Sequence, residues 1–167
     1  MKDPKRQYLG AQAKRKGKAF EDRLSATFEY YHLRGSALIT KTHEPMKPIR
    51  DLGQGRFVAC YEKKAEPDYK GTLKGGRTVM FEAKYTSADR IEQSRVLPQQ
   101  ADYMDDHAKL GARCFVVVGF DSGEVYLVPW DDWKNMKQLF GHKYATEQEL
   151  QNYRVSTAWN GVLLILS

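Results

Sequence analysis

Val79-Met80-Phe81-Glu82-Ala83-Lys84 runs through the middle of the chain and reads as a buried strand. Side chains alternate across a strand, so Glu82 and Lys84 project from one face while Phe81, Ala83 and Tyr85 go to the other. Two charges therefore stand where a core prefers carbon. Burying a carboxylate and an ammonium is costly unless they pair or meet a metal. Upstream, across the turn Lys74-Gly75-Gly76-Arg77, residues 69–73 read as the partner strand of a hairpin, and Pro67-Asp68 leads into it. That turn can bring Asp68 beside Glu82. Two carboxylates suit a divalent cation and an ammonium beside them suits a nucleophilic water, a combination fit for phosphodiester hydrolysis.

Working outward, a helix is expected over residues 13–33, where Phe20, Leu24, Phe28 and Tyr31 form one apolar stripe and Arg34-Gly35 ends it with a C-cap glycine. Glu21 lies beside that stripe, so it either faces solvent or reaches the cleft when the helix packs on the sheet. A strand follows over 37–40. Residues 41–55, with Pro45, Pro48, Gly53 and Gly55, read as an irregular, basic-leaning insertion kept out of the sheet, and 57–61 as strand. After the hairpin, a polar segment reaches Pro98 and a helix over 99–109. Residues 114–120 are the apolar run of a central strand, and 124–128 pair with it across Asp121-Ser122-Gly123. Asp131 or Asp132 is expected to cap a short helix to about residue 140. Another short helix is expected over 146–152 and a last strand over 162–166. This order describes an α/β fold, a mixed central sheet flanked by helices.

The 167 residues have the length of one ordinary domain, enough to bury a core without disulfide or zinc. Cys60 and Cys114 show no CxxC or Cys/His spacing, which fits a reducing, cytoplasmic compartment. No stretch approaches the length of a membrane span, and the basic N-terminus lacks the apolar core of a signal peptide. The formal net charge is +6, and its location matters more than its size. Residues 1–18 hold seven bases (Lys2, Lys5, Arg6, Lys14, Arg15, Lys16, Lys18) against Asp3, and removing these from the 27 bases and 21 acids leaves twenty of each. The chain is therefore divided into a basic flexible arm, residues 1–16, and a single domain, residues 17–167. Such an arm is either a solvated tail or a phosphate-binding element. His32, His43, His107 and His142 have no ligand spacing, and Trp130, Trp133 and Trp159 read as core or interface anchors.

Pro67-Asp68 followed by Glu82-Ala83-Lys84 resembles the PD-(D/E)xK nuclease superfamily, and the wider chain resembles the RecU-type Holliday junction resolvases. Gly17-Lys18-Ala19-Phe20-Glu21-Asp22, with Leu24 and Tyr30-Tyr31, is similar to that family's N-terminal helix. Lys41 and Pro45 match its first strand and the start of its protruding stalk. Asp68-Tyr69-Lys70-Gly71 resembles its D-Y-x-G, Phe81-Glu82-Ala83-Lys84 its F-E-A-K, and Gln100 with Tyr103-Met104 its Q-x-x-h-h helix, leading to Cys114-Phe115. The resemblance spans about residues 16–120.

It implies a restriction-endonuclease-like fold and a Mg²⁺-dependent DNA endonuclease, with Mn²⁺ able to substitute. Such an enzyme resolves four-way junctions in recombination and repair as a homodimer, in the cytoplasm of a bacterial or phage-infected cell. The resemblance further implies Asp68 and Glu82 as metal ligands and Lys84 as the group that polarises the attacking water or stabilises the pentacovalent charge. Glu21 and Gln100 would be auxiliary groups, with Gln99 the substitute for Gln100. The expected DNA contacts are Lys14, Arg15, Lys16, Lys18, Lys41, Lys47, Arg50, Arg56 and Lys70. Two departures stand out. Glu66-Pro67 replaces the family's threonines before the aspartate, so Glu66 either adds a ligand or points to solvent. The stalk-like insertion, residues 46–57, is shorter than the family's. Two other functions fit the same residues: a nuclease of linear duplex, flap or single-stranded DNA, and a basic DNA-binding recombination accessory protein with a degenerate site.

Overall fold

The computed structural model describes residues 4–43, 45–61 and 66–166. Its strands are β1 (Ala37–Lys41), β2 (Met46–Gly53), β3 (Arg56–Tyr61), β4 (Tyr69–Leu73), β5 (Thr78–Thr86), β6 (Arg90–Glu92), β7 (Arg113–Phe120), β8 (Val125–Pro129) and β9 (Tyr144–Thr146). The helices are α1 (Pro4–Leu33), α2 (Pro98–Lys109), α3 (Trp130–Lys134) and α4 (Met136–Phe140). Five strands form a mixed sheet in the order β1-β4-β5-β7-β8. Only β5 and β7 run parallel, because α2 carries the chain across between them. Helices cover both faces of this sheet. On one, Phe20, Leu24, Phe28 and Tyr31 of α1 pack on Ile39, Tyr69, Val79, Phe81 and Val117. On the other, Met104 of α2 and Trp130, Trp133 and Met136 pack with Met80, Val116 and Val118.

The expected helix is longer than its apolar stripe. It starts at Pro4 instead of about residue 13, so most of the arm read as flexible is helical. Proline is well placed in a first turn, where its missing N–H has no helical partner, and no other proline interrupts before Gly35. Gly35 closes the helix in the left-handed region (φ 64), with Ser36 N–H donating to the Tyr31 carbonyl at 3.0 Å. Residues 1–3 of the arm, with Lys2 and Asp3, lie outside the described residues, as do the side chains of Lys5 and Arg6 and, in the insertion, Glu44.

The insertion is a regular hairpin and not an irregular loop. β2 and β3 pair antiparallel around Gly53-Gln54-Gly55, all three at positive φ, with register shifts at Pro48/Arg50 and Asp51/Gly53. Pro48 is tolerated because each strand has a single partner, so an N–H is not required on the outer side. The expectation that it stays out of the central sheet matches: β2 and β3 form their own two-stranded sheet, exposed at every position.

The C-terminal third departs from expectation in three places. Trp130 and not an aspartate begins α3, Asp131 and Asp132 fill its first turn without a side-chain cap, and Asn135 separates it from α4. Residues 146–152 are not a helix: β9 pairs with β6, and only Gln151–Tyr153 winds into a 3-10 turn. Residues 162–166 form no strand, since the alternating burial of Leu163 and Ile165 comes with a single bridge, Thr157 to Leu163.

Candidate active site

The register of β4 on β5 builds the site. Tyr69 faces Phe81, so one step further Asp68 lies opposite Glu82. The two residues then hold each other through main chain. The Asp68 N–H donates to Glu82 Oε2 at 3.2 Å, and the Ala83 N–H donates to Asp68 Oδ2 at 2.9 Å. Glu82 is fully buried, which a carboxylate tolerates only with its oxygens satisfied. Lys84 Nζ reaches Oε1 at 2.5 Å and Gln100 Nε2 reaches the same oxygen at 2.8 Å. Gln100 is at the third position of α2, and its Oε1 accepts from the Leu97 N–H at 3.1 Å. One amide therefore closes the first turn of a helix and holds a carboxylate. Gln99, the neighbour, is exposed.

Above this pair opens a cleft of about 470 Å³, lined by Glu21, Asp68, Ala83, Lys84 and Arg95 among others. Glu21 thus faces the cleft and not bulk solvent, and Glu82 itself lies beneath its floor. Tyr69 places the helix: its hydroxyl donates to the Glu21 carbonyl at 2.8 Å and lies 3.0 Å from Ser25 Oγ. Burial pushes the Tyr69 phenol above its ordinary pKa, so it stays a donor at neutral pH. Lys41, at the end of β1, bonds Glu21 Oε2 at 2.5 Å, and this hydrogen bond raises the lysine's pKa against the opposing effect of burial. Gly71, the glycine of the D-Y-x-G segment, is required by packing. A Cβ there would lie 1.9 Å from the Leu38 carbonyl oxygen of β1.

The expected DNA contacts separate into two sets. Lys14 and Arg15 are exposed on α1, and Lys47, Arg50 and Arg56 on the hairpin. The others are engaged: Lys16 with Asp121 at 2.7 Å, Lys18 with Asp22 at 3.0 Å, Lys41 with Glu21, and Lys70 with Glu66 at 2.7 Å. Glu66 also accepts from Tyr103 Oη at 3.3 Å, through its other oxygen. His43 is exposed, Trp130 and Trp133 are core, and Trp159 is almost fully exposed. Cys60 and Cys114 are both free, and burial lifts the Cys114 thiol to about 11. No helix among the described residues is long and apolar enough to cross a membrane.

The donors are hard carboxylate oxygens, Asp68 at the floor and Glu82 just beneath it, with no sulfur or imidazole in the cleft lining among the described residues, and they fit Mg²⁺ or Mn²⁺. Among the described residues no group of three or more His, Cys, Asp or Glu could hold a metal alone. Two carboxylates suffice for Mg²⁺ where water and phosphate oxygens complete its shell. Sequence reading missed Arg95, which lies in the motif-free segment after β5, and it missed the pairing of Lys16 and Tyr85 with Asp121. Nothing in the local sequence signals either: the turn carrying Arg95 follows β6, which pairs with β9 more than fifty residues later, and Lys16 is 105 residues from Asp121.

The family model Recombination protein U matches residues 15–165. The Holliday junction resolvase RecU of Streptococcus pneumoniae (strain Hungary19A-6) is 32% identical over 121 residues, covering 68% of this chain and 61% of the relative. Its counterpart in Geobacillus kaustophilus (strain HTA426) is 28% identical, covering 83% and 74%, and that of Bacillus pumilus (strain SAFR-032) is 30% identical, covering 81% and 69%. The chain thus spans about 61% of the length of the Streptococcus pneumoniae relatives. Among solved structures, Hjc of Archaeoglobus fulgidus, a Holliday junction resolvase, superposes with a TM-score of 0.50 at 12% identity, covering 89% of this chain and 96% of that one. That likeness concerns the fold, a mixed sheet flanked by helices, as the restriction-endonuclease-like reading anticipated.

Proposed function

The chain belongs to the RecU family, and from that premise we propose that it is a Mg²⁺-dependent endonuclease that resolves four-way DNA junctions. The observation that carries this is Asp68 at the floor of a cleft opposite the buried Glu82, with the Lys84 ammonium 2.5 Å from Glu82. Asp68 and Glu82 would hold the cation, which supplies Lewis acidity and a water of lowered pKa when bound. Lys84 keeps its ammonium at the cleft wall, where it stabilises negative charge on the phosphorane or on the attacking oxygen. Gln100 and the Asp68 N–H fix the Glu82 oxygens, and Lys41 fixes Glu21. A positioned carboxylate costs no reorganisation at the moment of reaction.

Two cuts on opposing strands need two such clefts, and a twofold homodimer supplies them. The exposed bases of α1 and of the β2–β3 hairpin would take the arms and centre of the junction. The reading places the protein in the cytoplasm of a bacterial or phage-infected cell. A labelled four-way junction incubated with the protein and Mg²⁺, beside its component duplexes, tests the proposal. Symmetric paired nicks on the junction alone are expected. Equal cutting of duplex would favour a general nuclease, and tight binding without cutting in Mg²⁺ or Mn²⁺ would favour an accessory role.

A further inference from the structure

Arg95 lines the cleft with Asp68 and Lys84, yet no motif contains it. We infer that Arg95 is a phosphate clamp: its guanidinium binds the non-bridging oxygens of the phosphodiester that is cut, an assignment resting on the nuclease reading above.

Charge gives the first argument. At this end of the sheet Lys84 is paired with Glu82 and Lys41 with Glu21, so the donors of both lysines are already directed at carboxylates. Arg95 is the further cation on the cleft wall, and it has no carboxylate partner among the described residues. Its Nη2 donates to the Tyr85 carbonyl at 3.3 Å. That contact sets the guanidinium over β5, next to the residue that follows Lys84, with its remaining N–H groups available. A planar fork of donors matches two phosphate oxygens, which a lysine cannot do.

Rigidity gives the second. Arg95 ends the 3-10 turn Gln93–Arg95, between Ile91 and Val96, both buried. Gln93 ties that turn to the rest of the molecule: its N–H donates to the Lys143 carbonyl at 2.9 Å, and its Nε2 donates to the carbonyls of Trp133 and Lys134 at 2.7 and 2.8 Å. Two residues on, the Leu97 N–H meets Gln100, which holds Glu82. The turn that presents Arg95 is thus braced against the residue that positions the buried carboxylate. A cation held in advance where charge develops is the arrangement that lowers a barrier.

The test uses Arg95→Gln and Arg95→Lys in the full chain, with a synthetic four-way junction as probe. Arg95→Gln is expected to slow single-turnover cleavage at saturating protein about 100-fold. In Ca²⁺ the slope of log K against log salt should shrink by about 0.9, the loss of one phosphate contact. Arg95→Lys should restore the salt slope and part of the rate. Mg²⁺ affinity by calorimetry and the melting temperature should match wild type in both variants, which separates a clamp from a residue that only supports the metal ligands or the fold. An unchanged rate, an unchanged salt slope or a fall in Mg²⁺ affinity overturns the clamp while leaving the nuclease reading intact. A wild-type protein that cuts no DNA overturns both.

Discussion

Two antiparallel hairpins follow one another in this chain, and they have opposite fates. β2–β3 and β4–β5 each turn through glycines at positive φ and each carry apolar and basic residues. β4–β5 is enclosed, with β1 beside β4, β7 beside β5, α1 on one face and α2 near the other. Among the described residues β2–β3 has no neighbouring strand, and Ile49, Phe57 and Tyr61 stand in solvent with Lys47, Arg50 and Arg56. An isolated two-stranded hairpin is marginally stable in water, so β2–β3 leans on its own pairing and turn geometry where β4–β5 has a core. The enclosed pair can hold charged groups in fixed positions, as Asp68, Glu82 and Lys84 are held, whereas the projecting one offers its side chains to solvent.

The largest expected effect breaks the enclosed pair's chemistry. Lys84→Ala should reduce single-turnover junction cleavage about 10³-fold, with junction affinity in Ca²⁺ changed less than about threefold, as the role proposed for the ammonium, on developing charge and not on docking, requires. A parallel loss of affinity would make Lys84 a ground-state phosphate contact.

Next comes a matched pair of phenylalanines. Phe81→Ala removes a ring stacked on Phe115 at 5.6 Å and fully buried, and should cost about 3–5 kcal/mol in denaturant unfolding. Phe57→Ala on the hairpin should cost less than about 0.5 kcal/mol. Similar losses would mean that the hairpin is covered in solution, for instance by a second copy.

The role proposed for the hairpin predicts a difference in binding. Lys47→Ala with Arg50→Ala should weaken the four-way junction several-fold more than linear duplex at fixed salt, and lower the salt slope on the junction by about 1.8 if both touch phosphate. Melting and saturated cleavage rate should not move. Equal weakening on both substrates would reduce the hairpin to a general phosphate contact.

The smallest effect concerns Lys16, one of the engaged bases. Its hydrogen bond, with that of Tyr85, holds the Asp121 carboxyl below its ordinary pKa. A carboxylate with a depressed folded pKa stabilises above its unfolded value, about 3.9, and that contribution fades as pH falls through the folded value. Asp121→Asn should therefore melt slightly lower than wild type at neutral pH, with the gap closing in acid and in high salt. A gap that persists at low pH would assign the loss to packing.

Much of the enclosed pair was legible from its residues. The alternation of 79–85, the Gly-Gly turn and Pro67-Asp68 were enough to bring Asp68, Glu82 and Lys84 together, because hairpin register is local. The helix stripe at Phe20, Leu24, Phe28 and Tyr31 likewise reports its buried face directly. The projecting pair was harder, since prolines and glycines mark a break whether the chain beyond it is loop or hairpin. The C-terminal misreading has a related cause: Leu163 and Ile165 alternate as a strand would, but alternation reports burial and not a hydrogen-bond partner.

By itself the sequence determined the strand that carries Glu82 and Lys84, the hairpin that brings Asp68 to it, the apolar stripe of α1 and the basic excess near the N-terminus. These follow from side-chain period, turn chemistry and charge, which act over a few residues. Only the tertiary structure decided that Glu82 lies sealed beneath the cleft under Lys84 and Gln100, that Glu21 faces the cleft with Lys41, and that Lys16 is tied to Asp121. The same holds for Arg95 on the cleft wall. Each of the Gln100, Lys41, Asp121 and Arg95 placements depends on how a distant segment packs, and packing of that kind is set by the whole core at once.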